Sequence, residues 1–432
     1  MSEIDAQIKS LRDLQEDAPV EDVAHWLIEH SISMRSSDLF FATEESAIMV
    51  SHRHMGRIIN IRPFSLDYGR RLINHIKAMS EIDLGDRQRP SEGRWIFAVG
   101  HVHKVDLRVN SIPTIHGEDL TLRLLDRESG LIALEDYGFA TQEYEAITTL
   151  LRRNSGLILV TGPTGAGKST TLYSCLQHLN DGSRKINTLE DPVEYVVKGI
   201  RQSQVNVRFG VDFAELLMAC LRQSPDVIMI GEIRDPQTAD IAVRAANSGH
   251  LVLATLHAPI AVKAINAMIN LDVSPQSFGE SLLGVLSQRL VPKLCQQCRI
   301  QVDMSGFPDL FDDLREYLPN DWKPSLYAAG KCQACLETGY SQRVCVPEIL
   351  TLNNELRSMI SDRKNLMTLE SAARSSGMIR FRQSGLWRVA MGMTTVEELM
   401  RVIPFDELRE TLNDDWSGEL SPIQSTIESQ LV

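Results

Sequence analysis

Gly162-Pro163-Thr164-Gly165-Ala166-Gly167-Lys168-Ser169-Thr170 is a full Gly-x-x-x-x-Gly-Lys-Ser match. It lies between the short apolar run Leu157 to Val160 and a helical pattern opening near Lys168, the strand–turn–helix context in which such a loop cradles phosphate. The glycines let the backbone wrap an anion without Cβ clashes, and the amides of the helix N-terminus point at it. Lys168 would then reach the β- and γ-phosphates of ATP, and the Ser169 hydroxyl would ligate Mg²⁺. The alternative, a glycine-rich turn that binds nothing, is outweighed because strand and helix are both in place.

Around this loop the pattern alternates. Apolar strands are expected at 157–161, 186–189, 227–230 and 251–256, with helices at 168–179, 212–222, 235–247 and 261–271. Near-continuous apolar strands alternating with helices imply an α/β domain, a parallel sheet covered on both faces. Upstream, residues 21–130 read as a smaller α+β domain, with helical spacing at Val23, Ala24, Leu27 and Ile28 and then strand alternation. Residues 1–20 read as an N-terminal arm and 131–140 as a linker, which leaves 141–290 for the nucleotide-binding core. Residues 291–345 read as loop-like and hold five of the seven cysteines. Residues 346–404 read as helical, and 405–432 as an acidic tail with Arg409 as its sole basic residue.

At 432 residues the chain exceeds one core. A hydrophobic content of 43% and a charged content of 23% describe an ordinary globular protein. The net charge of −13 argues against a stable nucleic-acid partner, which would need a basic face. No apolar run approaches a membrane span, and the acidic N-terminus lacks the order of a secretory signal. A cytoplasmic protein is expected, with cysteines serving as thiols or metal ligands.

Hydrolysis needs a group to orient water and charge to stabilise the transition state. Asp226-Val-Ile-Met-Ile-Gly231-Glu232 is an apolar strand ending in a carboxylate, and Thr188-Leu-Glu190-Asp191-Pro192 is a second acidic strand end. Ligands of open α/β sheets lie beyond the carboxyl ends of the strands, so Glu190 and Glu232 should converge on one cleft. Asp191 reads equally as a turn cap or a catalytic group. Arg234 is either an ion-pair partner or a phosphate ligand. Two histidines bracket the strand 251–256, and His257, at its carboxyl end, is better placed than His250 to sense the γ-phosphate.

Gly162–Thr170, Thr188–Tyr195, Leu221–Asp235 and Ser248–His257 occur in this order. They resemble the Walker A, Asp box, Walker B and His box of type II secretion and type IV pilus assembly ATPases. The likeness extends upstream through Asp106 to Asp126, and downstream through Leu283–Val291 and the Thr394-Thr-Val-Glu-Glu-Leu run. It implies a RecA-like P-loop ATPase domain after the smaller domain, assembled as a homohexamer. It makes Glu190 and Glu232 catalytic, places Arg108 and Arg123 against the γ-phosphate, and puts Arg222 and Arg234 near the site or a subunit interface. It also implies a polytopic inner-membrane platform protein as partner, with peripheral association at that membrane. Where the family carries Ser-Asp-Ile-His-Ile-Glu-Pro this chain reads Ser37-Asp38-Leu-Phe-Phe-Ala-Thr, and Ala258-Pro259 follows His257 in place of Thr-Asn. About twenty residues precede the first matched helix, so the extra docking domain of many members is expected to be missing.

Cys295-Gln-Gln-Cys298 and Cys332-Gln-Ala-Cys335 present four thiolates in two pairs, a donor set suited to tetrahedral Zn²⁺. A redox dithiol is the alternative, but it calls for one pair beside a βαβ unit, not two in a loop-rich insert. The family resemblance favours structural zinc and, because retraction motors lack this element, an extension or export motor. A nucleic-acid translocase and a non-hydrolysing nucleotide-switched scaffold are the competing functions.

Overall fold

The computed structural model describes residues 16, 18–99, 103–126, 131–206, 209–302 and 325–403, together with Phe311, Leu314 and Leu318. The acidic tail and nearly all of the N-terminal arm lie outside these residues. Two compact units divide the chain, one ending at Gly130 and the other beginning at Leu131.

In the first unit helix α1 (Val20–Ser33) precedes strands β1 (Asp38–Thr43), β2 (Ala47–His54) and β3 (Arg57–Ser65). Helix α2 (Leu66–Met79) follows, then β4 (Ser91–Val99), β5 (His103–Thr114) and β6 (Gly117–Asp126). The Ser65 hydroxyl caps α2 by accepting from the Tyr68 amide. The six strands form one antiparallel sheet in the order β3-β2-β1-β6-β5-β4. Strand alternation divides its faces. Leu39, Phe41, Leu107, Val109 and Leu122 join Leu27, Ile28, Leu72 and Ile76 of the helices in one core. Their strand neighbours Asp38, Asp106, Arg108 and Arg123 therefore project from the opposite face.

The second unit opens with a 3₁₀ turn (Leu134–Asp136) and helix α3 (Thr141–Leu151). The alternating region follows: β7 (Gly156–Thr161), α4 (Lys168–Leu179), β8 (Ile186–Glu190), β9 (Arg201–Gln204), α5 (Phe213–Leu221) and β10 (Val227–Ile230). It continues through α6 (Pro236–Asn247), β11 (Leu251–Leu256), α7 (Ala261–Asn270) and α8 (Pro275–Ser281). The chain then forms β12 (Leu282–Leu294), β13 (Ile300–Val302), β14 (Leu326–Ala328) and β15 (Tyr340–Thr351). The last described elements are α9 (Asn354–Ser361), α10 (Leu366–Ser375), α11 (Phe381–Ala390) and α12 (Val396–Val402).

Seven of these strands form a sheet in the order β15-β12-β7-β11-β10-β8-β9, parallel except for β15. Every residue of β7, β8, β10 and β11 is buried. Leu157 and Leu159 enter the core on one face, and Ile158 and Val160 enter the core on the other. This is what a doubly covered sheet requires of a continuous apolar strand.

The loop-like reading of 291–345 is corrected at both ends. β12 runs on to Leu294, and β15 begins at Tyr340 and pairs with β12 over its whole length. Pro292 and Pro347 hid these strands, because proline usually signals a break. Pro347 lies on the sheet's edge strand, and Pro292 lies past Ser287, where pairing of β12 with β7 ends. A missing N–H costs little there.

Candidate nucleotide site and cysteine centre

The 162–170 loop joins the carboxyl end of β7 to the start of α4. Gly162, Gly165 and Gly167 have φ of 145°, 78° and 84°, a region that glycine enters without strain. At Gly162 a Cβ would also lie 2.6 Å from the Gln288 carbonyl oxygen. Pro163, Thr164 and Gly165 are exposed, Ala166 is buried, and Ser169 and Thr170 are half-buried at the helix start. Lys168 Nζ donates to the Gly162 and Pro163 carbonyls at 2.9 and 3.2 Å. Burial lowers the Lys168 pKa, while the Glu232 carboxylate opposes that shift, so the two charges sense each other.

Glu232 follows β10 at its carboxyl end, and its carboxylate lies 2.8 Å from His257 Nε2 and 2.5 Å from Arg234 Nη2. The ion pair with Glu232 raises the Arg234 pKa. Arg234 thus stands as an ion-pair partner, while both its own side chain and that of His257 remain half exposed or more. Asp191 is exposed on the loop after β8, where its charge adds to the field on Arg234.

Glu190 ends β8 differently. It is 3% exposed and enclosed by donors. Tyr173 Oη of α4 donates to one carboxylate oxygen. Thr188 Oγ1 at 2.5 Å and Gln202 Nε2 at 3.0 Å donate to the other. The carboxylate therefore braces α4 against β8 and β9.

His250 immediately precedes β11 and His257 follows its end, so they sit roughly 20 Å apart at opposite ends of the strand. His250 Nδ1 bonds the Ala245 carbonyl at the end of α6. Arg222 caps the C-terminus of α5 and is exposed. Because α5 runs back toward the amino ends of the strands, the structure does not bring Arg222 to the loop.

Three residues escaped sequence reasoning. Gln288 is fully buried on β12, donates to the Ala166 carbonyl at 2.6 Å and accepts from Thr171 Oγ1 at 2.9 Å. Arg289 donates to the Pro259 and Gln288 carbonyls and lies over the Phe381 ring. Tyr137 bonds Thr171 from the segment read as a linker. The available signal was polar Ser287-Gln288-Arg289 inside a long apolar strand.

In the first unit cross-strand register sets Arg94, Arg108, Arg123, Asp38 and Arg53 in one row across five strands. Asp106 holds Arg94 through two bonds of 2.7 and 2.9 Å. Asp38 pairs with Arg123 at 3.2 Å and with Arg53 at 3.4 Å. Arg108, at the middle of the cationic stretch, has a buried Nη2 with no hydrogen-bond partner among the described residues. A buried guanidinium nitrogen left so is costly unless an anion meets it.

The four cysteines of the two Cys-x-x-Cys pairs have all their sulfurs within 4.8 Å of one another. The Cys295–Cys332, Cys298–Cys335 and Cys332–Cys335 separations are 3.8, 3.7 and 3.6 Å. A tetrahedron with Zn–S bonds of about 2.3 Å has edges of about 3.8 Å, so the donor set fits zinc in type and size. The long gap between the pairs closes because Leu294 pairs with Tyr340, bringing the flanks of both knuckles to one end of the β12–β15 ladder.

The family described as Type II/IV secretion system protein matches residues 13–401. Type II secretion system protein HxcR of Pseudomonas aeruginosa is 39% identical over 396 residues, 92% of this chain and 80% of that protein. Type IV pilus assembly ATPase PilB of Thermus thermophilus is 37% identical over 377 residues, 87% of this chain and 42% of that protein. The crystal structure of the pilus retraction motor PilT with bound ADP aligns with a TM-score of 0.58 at 26% identity, covering 88% of this chain and 96% of its own. The Legionella pneumophila ATPase DotB shares the fold, with a TM-score of 0.63 at 21% identity over 87% of this chain and 93% of its own. No described helix is long and apolar enough to cross a membrane.

Proposed function

The chain belongs to the Type II/IV secretion system protein family, and on that premise we propose that it is an ATP-hydrolysing motor powering assembly of a type IV pilus or a type II secretion pseudopilus. One observation carries the hydrolytic reading: Glu232 stands at the carboxyl end of β10, electrostatically coupled to the loop lysine and held by Arg234 and His257. A carboxylate so fixed can orient water and accept its proton. The amides and Lys168 of the loop bind the phosphates, and Ser169 supplies an oxygen to Mg²⁺. His257 would read the γ-phosphate through Glu232. Glu190 serves the site by fixing α4, and Asp191 by adding to the field that orders Arg234.

From the first unit we assign Arg108 to the γ-phosphate, as the family resemblance implies, a reading supported by its buried Nη2 having no hydrogen-bond partner among the described residues, with Arg123 beside it as a second cation steadied by Asp38. Such an arginine lets nucleotide state govern unit position. The motor works as a homohexamer in the cytoplasm, at the inner-membrane face of a polytopic platform protein, with exposed Arg222 and the loop near His250 available to subunit contacts. Cys295, Cys298, Cys332 and Cys335 hold a structural Zn²⁺ that fixes the end of the β12–β15 ladder.

The test is phosphate release across a concentration series beside Lys168→Ala and Arg108→Ala, with metal analysis of the same sample. Activity that rises with assembly and vanishes in both variants, with about one zinc per chain, supports the reading. Activity independent of concentration and of Arg108 contradicts the ring with shared sites.

A further inference from the structure

We propose that Tyr137 is a positioning residue for the phosphate loop, tying that loop to the segment 131–140 that follows the first unit. The proposal rests on the reading of 162–170 as an ATP site. The segment lies along one stripe of α4. Ser174 Oγ donates to the Ile132 carbonyl at 2.6 Å, Tyr137 Oη meets Thr171 Oγ1 at 2.6 Å, and His178 Nδ1 lies 3.3 Å from Glu135 Oε1. Thr171, Ser174 and His178 recur at i, i+3 and i+7, so all three contacts fall on the same helix face.

The donors at Thr171 can be assigned by counting protons. Its hydroxyl has one, and that proton goes to Gln288 Oε1 at 2.9 Å, an atom that can only accept. Tyr137 must therefore donate to Thr171. The other end of the same amide, Gln288 Nε2, donates to the Ala166 carbonyl at 2.6 Å. The result is a one-way chain from Tyr137 through Thr171 and Gln288 to the phosphate loop, beside a longer direct contact of Tyr137 Oη with the Gly167 carbonyl at 3.5 Å. Thr171 and Gln288 are fully buried, so water does not replace a lost link cheaply. Burial also pushes the Tyr137 hydroxyl above its ordinary pKa range, which keeps its proton in place.

What the chain holds is one peptide plane. The Ala166 carbonyl and the Gly167 N–H belong to the same trans peptide and point in opposite directions. Fixing the carbonyl on Gln288 aims the Gly167 amide away from β12 and, on the ATP-site reading, toward the phosphate. Gln288 Nε2 also lies 3.3 Å from where a Gly167 Cβ would be, so the amide packs directly on that turn. A displacement of 131–140 thus reaches a phosphate-binding amide without passing through the rest of the core.

Losing one buried link should weaken nucleotide binding uniformly. Tyr137→Phe in the full chain is expected to raise KM for ATP about two- to tenfold with kcat within about twofold. Phe139 stacks on Tyr137 at 4.8 Å but joins no bond of the chain, so Phe139→Leu should leave KM unchanged and report packing alone. Thr171→Val should match or exceed Tyr137→Phe, and the double variant should lose no more than Thr171→Val by itself. If Thr171→Val does not fold, Tyr137→Phe against Phe139→Leu decides the matter. A parental KM in Tyr137→Phe, or losses that add in the double variant, overturns the assignment. Lys168→Ala separates the layers: ATP binding that survives it overturns the underlying site reading instead.

Discussion

Glu190 ends β8 and Glu232 follows the end of β10, its parallel neighbour, so each is an acidic residue at the carboxyl end of a strand. Their surroundings make them different groups. Glu190 is sealed by Tyr173, Thr188 and Gln202, and both oxygens are committed within the protein. Glu232 is held from the side by two cationic or proton-bearing groups that are themselves half exposed or more. The first carboxylate holds a helix; the oxygens of the second are also engaged, by His257 and Arg234, but those partners face solvent, and the proposed reading makes it the group that meets water. A similar division recurs in the first unit, where Asp38 engages Arg123 while Arg108 has a buried nitrogen with no partner among the described residues. Polar groups closed upon the protein organise the fold, and on the proposed reading Glu232 and Arg108 are the ones that carry the chemistry.

The largest effect should separate the two glutamates. Glu232→Gln is expected to lower phosphate release roughly 10³-fold with nucleotide binding retained. Glu190→Gln should cost about tenfold and also lower the thermal midpoint, because a carboxamide cannot accept from all three donors. Equal kinetic losses with equal stability would break the contrast. Next, Arg108→Ala should reduce turnover about 10²-fold and Arg123→Ala about tenfold, since Asp38 already neutralises the latter. The reverse order would show that the closed pair, not the open cation, meets the phosphate.

Acid should act on the closed groups of the first unit. Burial lowers the pKa of His52 to about 4, and it also lowers those of His30 and His54. His52 lies 5.8 Å from His30 and 6.5 Å from His54 between ring centroids, so each charge would also oppose the next. The folded state therefore binds fewer protons than the unfolded chain between pH of about 6.5 and about 4. Stability is complete above that window and falls through it as pH drops, by on the order of 3 kcal/mol for His52. Thermal melts from pH 7.5 to 4 should show this loss, and His52→Asn should flatten it. A smaller effect is expected from chelation, which should lower the midpoint of the second unit while leaving the first unit's transition in place.

Short-range patterns were the legible part. Gly162–Ser169, the four apolar strands and the two Cys-x-x-Cys knuckles each carry their meaning within a few residues, and the sheet rule then places Glu232 and His257 at one end. Features set by long-range pairing were not legible. Tyr173 and Gln202 close on Glu190 from α4 and β9, and the row from Arg94 to Arg53 exists only through cross-strand register. The edge strand β15 was masked by its own Pro347, which an edge position tolerates. Gln288 shows in the sequence only as part of a polar interruption of an apolar strand, and what it holds was not legible because its partners lie 117 and 122 residues away.

The central claim is that Glu232 is the catalytic carboxylate of an ATP-hydrolysing site. Phosphate release and nucleotide affinity measured together for the parent, Glu232→Gln and Glu190→Gln test it most directly. The account predicts near-parental affinity with turnover nearly abolished in Glu232→Gln alone. Turnover that persists in Glu232→Gln but disappears in a stably folded Glu190→Gln would contradict it.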